Sequence, residues 1–385
     1  MTTEFLGIPE SELAAAKALA TAREIEQQPR MLVRTHALVA QMHAELAAFI
    51  APVAGNPNAR VILTGAGTSA YIGQCLAPLL DRQVAARVDA VPTTDIVGCP
   101  RLYLDPEQPL LLVSFGRSGN SPESLAAVDL AEKLVKDVRH LVVTCNPKGG
   151  LANLDVRQAL TIQLPEETHD ESFAMTSSFS CMMYATLAAF SAESALDARI
   201  GALANAMGAV IAGKRKLLKT LAEQKFERVV YLGSGLFQGL AREATLKLGE
   251  LTNGAVTTCF DSPLGFRHGP KTFVTERTVV FVFVSNDPLT CRYDHDLVDE
   301  LRRDGRAAHV VEVTARPRDR HLASSIVLEG MEQAADVDLL WPYIAAAQIY
   351  AFFASRALGL TPDNPNPQGL VNRVVQGVTL HPLEG

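Results

Sequence analysis

The sequence lacks the spacings that mark metal sites and disulfide scaffolds. No Cys-x-x-Cys pair and no paired Cys/His spacing occurs in the chain. The cysteines are few and scattered, at Cys75, Cys99, Cys145, Cys181, Cys259 and Cys291. We therefore expect buried free thiols, and we expect no metal and no other cofactor.

Basic charge is also in short supply. Lys and Arg number 35 against 42 Asp and Glu, which gives a net charge of −7. An extended basic surface for nucleic acid is therefore not expected, although a local anion pocket remains open. The N-terminus lacks a basic segment followed by an apolar core, and we find no run of 18 residues that is apolar throughout. These absences predict a cytoplasmic protein with no nucleic-acid or membrane partner.

What is present is ordinary globular composition over a long chain. At about 150 residues per domain, the 385 residues predict two to three domains with substantial cores. Apolar residues make up 48% and charged residues 20%, which excludes a disordered, collagen-like or coiled-coil chain.

The order of apolar runs predicts an α/β fold after a leading helical arm. Helical spacing favours two helices, over residues 10–28 and 29–50. Beyond them, short β-branched runs alternate with longer helical patterns, which is typical of a parallel sheet covered by helices. The predicted strands are 60–64, 110–115, 138–145 and 160–164, followed by 228–232, 278–285, 308–314 and 325–328.

The two series of strands predict an internal repeat. Gly65 and Gly233 are 168 positions apart, Ser114 and Ser285 are 171 apart, and Thr144 and Thr314 are 170 apart. Three landmarks at nearly constant separation indicate one αβ unit used twice. A helical stretch of about 196–222 joins the copies. The predicted boundaries are 1–50 for the arm, 51–215 for the first domain and 216–385 for the second.

Two loops of the first copy combine glycine with hydroxyl side chains. Thr64-Gly-Ala-Gly-Thr-Ser69 runs from a strand into a helix, and Ser114-Phe-Gly-Arg-Ser-Gly-Asn-Ser-Pro-Glu123 does the same after the next core strand. Ligands bind at the carboxyl ends of parallel strands, and helix N-termini attract anions. We interpret the pair as a phosphate cradle, although each loop alone is also consistent with simple helix capping.

A dinucleotide site is the competing interpretation. Gly65-x-Gly67-x-x-Ala70 fits the loose fingerprint, and Asp89 follows at a distance suited to a ribose contact. That motif leaves the hydroxyl side chains of the second loop unexplained, so phosphate alone is favoured.

A predicted helix of the second copy carries a charged stripe. Glu243, Lys247 and Glu250 are spaced i, i+4 and i+7 beside an apolar stripe. Such a stripe is often a solvated set of ion pairs, but a carboxylate held beside a cation also suits general base catalysis. The loop that follows carries His268, either a proton shuttle or a surface histidine.

These residues together resemble the sugar isomerase (SIS) family over most of the chain. Within that family the sequence is most similar to the galactosamine-6-phosphate deaminase/isomerase group (AgaS type), long called tagatose-6-phosphate ketose/aldose isomerases. The matching phrases cover residues 114–124, 167–170, 173–178, 265–271 and 371–378. The resemblance implies two SIS domains, each a parallel-sheet αβα sandwich of flavodoxin-like or Rossmann-like topology, and a phosphorylated hexose or hexosamine as substrate.

The resemblance also assigns roles to residues. Glu250 is the implied catalytic base, oriented or balanced by Lys247 and Glu243, and His268 assists ring opening, in that family from a neighbouring subunit. The implied sugar-phosphate pocket consists of Thr68, Ser69, Arg117, Ser118, Ser121 and Thr176. The implied reaction converts D-galactosamine 6-phosphate to D-tagatose 6-phosphate and ammonia by proton transfer between C2 and C1.

One departure from the family concerns the C-terminal region. Related synthases form an imine there with a lysine, but the last lysine of this chain is Lys271, and Arg373 and Gln376 occupy the corresponding region. Neither an arginine nor a glutamine forms that imine. The glutamine-hydrolysing half of those synthases is also missing, which favours deamination or isomerisation.

Several alternatives stay open at this point. A plain aldose–ketose isomerase, a glucosamine-6-phosphate deaminase and a sugar-phosphate sensor would use the same cradle. The acidic segment 166–171 with His169 and Asp170 is interpreted as a substrate-edge or intersubunit loop rather than a metal site. The leading helices and the proline-rich segment 361–367 predict at least a homodimer.

Overall fold

The computed structural model describes residues 3–318, 325–375 and 377–383. The strands are β1 Glu4–Phe5, β2 Ile8–Pro9, β3 Arg60–Thr64, β4 Arg87–Ala90, β5 Leu110–Gly116, β6 Val138–Thr144, β7 Ala159–Gln163, β8 Arg228–Gly233, β9 Thr257–Asp261, β10 Thr278–Phe283, β11 His309–Thr314 and β12 Ser325–Val327. The helices are α1 Glu10–Ala15, α2 Leu19–Glu26, α3 Gln28–Ala54, α4 Thr68–Leu80, α5 Thr93–Gly98, α6 Pro100–Tyr103, α7 Pro122–Leu134, α8 Ser177–Ala189, α9 Glu193–Asp197, α10 Ile200–Gly213, α11 Arg215–Ala222, α12 Leu236–Leu251, α13 Pro263–Phe266, α14 Thr290–Asp304 and α15 Asp336–Ala357.

The long strands form two parallel sheets of identical topology. Sheet 1 has the order β4-β3-β5-β6-β7, and sheet 2 has the order β9-β8-β10-β11-β12. Every pairing within both sheets is parallel. Numbered within each copy, the order is 2-1-3-4-5, the flavodoxin-like arrangement. This confirms the predicted α/β fold with two parallel sheets.

The register confirms the repeat but corrects one of its landmarks. Thr64 pairs with Ser114 between β3 and β5, and Leu232 pairs with Val282 between β8 and β10. Equivalent residues of the two copies are therefore 168 positions apart in both pairs, from β3 to β8 and from β5 to β10. Ser285 was expected to match Ser114, but the register places Val282 at the position equivalent to Ser114. Ser285 lies three residues later, beyond the end of β10.

The eight predicted strands agree with the structure to within two residues at each end, but the four strands β1, β2, β4 and β9 were not among them, and one helix break was not predicted. β4 and β9, the edge partners of β3 and β8, are short and partly exposed, so their apolar runs are weak. The predicted helix 10–28 is divided into α1 and α2, because Lys17 takes a left-handed backbone with φ +49°.

Two compact units contain the two sheets. The sheet-1 unit comprises residues 31–170, 177–198 and 368–385, and the sheet-2 unit comprises residues 1–30, 171–176 and 199–367. In the sheet-1 unit, Ile62, Leu112 and Val142 pack against α5 and α7. In the sheet-2 unit, Val230, Val280 and Leu297 belong to the corresponding core.

Three helical segments are long and apolar enough to cross a membrane by length and composition alone. They are Gln28–Ala54, Ala195–Gly213 and Asp336–Ala357. α15 is buried along the whole of its apolar window and packs on α10, α11 and α12. Its composition is therefore that of a central core helix, and these segments do not show a membrane protein.

Candidate active site

The first candidate site lies at the carboxyl end of β3 and β5 in the sheet-1 unit. These neighbouring strands form the topological switch point of sheet 1, where ligands of open parallel sheets bind. Thr68 and Ser69 occupy the buried first turn of α4, and Ser121 is the residue before Pro122, which opens α7. The structure therefore brings both predicted loops to one edge, with two helix N-termini above them.

The glycines of this site are required by close backbone approach. A Cβ on Gly65 would lie 2.5 Å from the Cβ of Ser69, and Gly119 has φ +67°. Gly233 repeats the first contact in the sheet-2 unit, where a Cβ would lie 2.5 Å from the carbonyl oxygen of Phe237. The tight strand-to-helix turn is thus a feature of both copies.

The second loop is held in shape by the last residue of β6 and by a residue just after that strand. Thr144 Oγ1 donates to the Gly116 carbonyl at 2.6 Å, and Asn146 Nδ2 donates to the Ser118 carbonyl at 2.8 Å. These bonds fix the backbone that presents Ser118 and Ser121, so the cradle is pre-formed in the protein.

Two buried hydroxyls beneath the cradle were not among the predicted site residues. Thr64 and Ser114 are register neighbours, and in the part of the chain that the structure describes neither side-chain oxygen has a hydrogen-bond partner. Their equivalents in sheet 2, Leu232 and Val282, are apolar. The polar floor is therefore specific to the first copy.

Arg117 connects this loop to the C-terminal segment of the same unit. Its buried guanidinium donates from Nη2 to the Arg373 carbonyl at 3.0 Å. Arg373 in turn donates to the Asp170 carbonyl. No local motif pointed to this connection, although the phrase 371–378 was part of the family match. Gln376 lies outside the described residues.

The charged triad on α12 is mostly buried rather than solvated. Lys247 and Glu243 are fully buried with Nζ and Oε1 3.6 Å apart, and Lys247 also donates to Glu250. The Glu250 side chain is 24% exposed. Within the triad, Glu250 is therefore the carboxylate that a substrate can reach, and Lys247 fixes its position.

The remaining predicted residues of the sheet-2 unit lie in contrasting environments. Thr176 is fully buried. His268 is exposed in the loop between α13 and the 3₁₀ turn Pro270–Phe273. Its backbone N–H donates to the Gly265 carbonyl at 2.9 Å.

The crevice of sheet 2 is occupied by the protein's own carboxylates. Asp294 accepts from Ser234 Oγ at 2.7 Å and from the Ser285 N–H at 2.9 Å. Asp336 accepts from Ser285 Oγ at 2.5 Å and from the Asn286 N–H at 2.7 Å. Burial raises the pKa of Asp294 to about 6. These four donors at the second switch point thus already bind the protein's own carboxylates.

Asp89 has partners other than a ribose. Its carboxylate accepts from Arg60 Nε at 2.7 Å and lies 2.9 Å from Arg87 Nε. The pair with Arg60 bridges β3 and β4, and the pair with Arg87 lies within β4. The carboxylate is thus already paired, which argues against the dinucleotide interpretation.

The cysteines are free, but they are not all buried. Cys75, Cys145 and Cys181 are buried, whereas Cys99 is exposed and Cys259 and Cys291 are half-buried. Burial raises the pKa of Cys145 to about 12, so its thiolate is not populated near neutral pH. Over residues 3–318, 325–375 and 377–383, no group of three or more His, Cys, Asp or Glu is placed to hold a metal ion.

Comparison with known proteins agrees with this architecture. The SIS domain model matches residues 56–192. The chain is 44% identical to the D-galactosamine-6-phosphate deaminase AgaS of Escherichia coli O157:H7, over 96% of this chain and 98% of that protein. It is 45% identical to the protein of the same name from Shewanella sp. strain ANA-3, over 97% of this chain and 94% of that protein. The structure of tagatose-6-phosphate ketose/aldose isomerase from Escherichia coli superposes with a TM-score of 0.86 at 41% identity, over 95% and 97%.

Proposed function

Since this chain belongs to the AgaS group of the SIS domain family, we propose that it is a D-galactosamine-6-phosphate deaminase. The enzyme converts this substrate to D-tagatose 6-phosphate and ammonia. Near-full-length identity of 44–45% to deaminases of that name is the observation that carries the proposal. The polar cradle at the sheet-1 switch point supports a phosphorylated ligand.

The proposed reaction begins with the substrate phosphate in the cradle. Ser118 and Ser121 donate hydroxyl hydrogen bonds, Arg117 supplies positive charge, and Thr68 and Ser69 line the first loop. Thr176 is assigned to the same substrate-binding set. The site binds the sugar phosphate without a metal in this proposal.

The proposed chemistry moves one proton and then releases nitrogen. His268 assists opening of the hexose ring, which exposes the C1 aldehyde. Glu250 removes the C2 proton, a proton is returned at C1, and one amine proton moves to the C1 oxygen, so that the aldehyde becomes a hydroxymethyl group and the C2 amine becomes a C2 imine. Water adds to the imine carbon, and ammonia leaves as the ketose forms. Lys247 and Glu243 orient Glu250 and balance its charge.

Hydrolysis of the imine places the enzyme among hydrolases that also isomerise their substrate. We further propose a cytoplasmic location. We also propose at least a homodimer, because the family resemblance assigns His268 to a neighbouring subunit. Gel filtration with light scattering tests the second point, and a monomer at working concentration would contradict it.

The test of the mechanism is Glu250→Gln, assayed by ammonia release from galactosamine 6-phosphate. Loss of a general base predicts a fall in kcat of about 10²- to 10⁴-fold with little change in substrate affinity. The matched control is Glu276→Gln, which changes an exposed glutamate of the same unit and should leave kcat unaltered. Near-normal turnover by a folded Glu250→Gln protein removes Glu250 from this role.

A plain ketose–aldose isomerase is the second candidate, because the similar solved structure carries that name. The proton transfer is the same, but the substrate has a hydroxyl at C2 and no nitrogen to lose. Parallel ammonia and ketose assays on galactosamine, glucosamine and galactose 6-phosphates decide between the candidates. Ketose formation from galactose 6-phosphate without ammonia release from either amino sugar would favour the isomerase.

A further inference from the structure

The C-terminal segment is a wall of the sheet-1 site rather than a free end. Arg373 accepts a hydrogen bond at its carbonyl from Arg117 Nη2, 3.0 Å away. The Arg373 side chain donates to the carbonyl of Asp170. These two bonds join the C-terminal segment to the cradle loop and to Asp170, and the charges of both guanidinium groups act on His169.

The Asp170 carboxylate is committed to another element. It accepts from the Ser178 N–H at 2.9 Å, from Ser178 Oγ at 2.5 Å and from Ser177 Oγ, all at the start of α8. The carbonyl that receives Arg373 is therefore part of a fixed frame. Arg373 keeps its place through this frame without using its full hydrogen-bonding capacity.

Two buried nitrogens at this place have no protein partner. Within residues 3–318, 325–375 and 377–383, Arg373 Nε and His169 Nε2 are both buried and make no hydrogen bond. Buried polar nitrogens in proteins are nearly always paired. Arg373 donates to the carbonyl of Asp170, the residue after His169, so one ligand that accepts from both nitrogens would satisfy them.

The charge of the site selects the class of ligand. Burial lowers the pKa of His169, and the positive charges of Arg373 and Arg117 lower it further. His169 is therefore neutral near pH 7, and its Nε2 donates in the tautomer that carries the proton there. Arginine pairs favour phosphate oxygens, which accept several charge-assisted hydrogen bonds at once.

We propose that Arg373 and His169 are further ligands of the substrate's 6-phosphoryl group, which they bind together with Arg117. This inference rests on the proposed function in one respect, namely that the substrate is a hexose phosphate. It gives the C-terminal arginine a binding role where the related synthases have a lysine that forms an imine.

The test compares Arg373→Met and His169→Phe with wild type by calorimetry. The probes are galactosamine 6-phosphate, its monoanionic isostere galactosamine 6-sulfate, and inorganic phosphate. We expect Arg373→Met to weaken phosphate-ester binding about 10- to 100-fold, and the sulfate ester several-fold less, because a dianion gains more from each cation. His169→Phe should weaken both esters about 3- to 10-fold, since it removes one neutral hydrogen bond.

Arg34→Met is the matched control. Arg34 also holds the segment around Asp170, through an exposed ion pair with Glu167. If Arg373 only fixed that segment, Arg34→Met would weaken binding comparably, and Arg373→Met would weaken the two esters equally. Either result overturns the assignment of Arg373, and unchanged binding by His169→Phe removes His169 from it.

The affinity for inorganic phosphate tests this inference independently of the proposed activity. If wild type releases no ammonia but inorganic phosphate affinity still falls in Arg373→Met, the activity is wrong and the phosphoryl site stands. If the activity is present and phosphate affinity is the same in wild type and Arg373→Met, the site assignment is wrong and the activity stands.

Discussion

At the scale of single residues, Asp294 distinguishes the two crevices of this protein. The first crevice presents the hydroxyls of Thr64 and Ser114 at its floor, whereas the second has apolar side chains there and a carboxylate above them. Asp294 takes the donors of Ser234 and Ser285, much as a bound anion would. In the second copy the residues at the switch point are thus bonded to an internal carboxylate, whereas in the first copy we propose a binding site.

Asp294 makes the free energy of unfolding fall as pH rises from about 4 to about 6. Its pKa is about 6 in the fold against an ordinary value of 3.8, so the native state binds a proton more tightly than the unfolded chain. Its contribution is complete below about pH 4 and is lost as pH rises to about 6, roughly 3 kcal/mol by proton linkage. Urea unfolding between pH 4 and 6 should show this slope, and Asp294→Asn should remove it.

The control for that measurement is Asp287→Asn. Asp287 is near Asp294 in sequence, but its carboxylate accepts from the Thr290 and Leu289 N–H groups, which lowers its pKa. It therefore stays ionised between pH 4 and 6, and its replacement should leave the slope as in wild type. An unchanged slope in Asp294→Asn would show that burial does not hold the proton.

At the scale of elements, the strand-to-helix turn after β3 depends on a glycine. Gly65 permits Ser69 to approach so closely that a Cβ has no room. Short patterns predict this turn well, because glycine and hydroxyl residues at a strand end have few other structures. The break between α1 and α2 was harder to predict, because an uncommon backbone conformation at a lysine has no sequence signature.

Gly65→Ala should disturb the cradle without touching a ligand-binding side chain. The added methyl must displace Ser69 and the first turn of α4, so we expect a loss of stability of about 1–3 kcal/mol and at least a 10-fold rise in the Kd for galactosamine 6-phosphate. Gly201→Ala is the control, because a Cβ there meets no atom within 4 Å. Equal behaviour of the two variants by calorimetry and thermal unfolding would contradict the steric argument.

At the scale of the whole molecule, the two copies share one architecture but differ in the side chains at their switch points. Both sheets share strand order and register, yet the donors of the second crevice are already used by Asp294 and Asp336. A repeat detected by constant offsets predicts two equivalent sites, and only side-chain contacts show that they differ.

Titration calorimetry should therefore give a stoichiometry of one sugar phosphate per chain. In the same assay, the double variant Ser118→Ala/Ser121→Ala should bind the sugar phosphate more weakly at that one site. Two binding events per chain in wild type, or full binding that survives the double replacement, would place an anion in the second crevice instead.

The sequence by itself determined the parallel sheets, the repeat, the paired glycine-and-hydroxyl loops and the family, because each depends on short patterns within a strand, a turn or a helix. It did not decide that Glu243 and Lys247 are buried while Glu250 stays accessible, since helical spacing does not tell which face a neighbouring element covers. It did not show the bond between Arg117 and Arg373 either, because those residues are 256 positions apart and only folding brings them into contact.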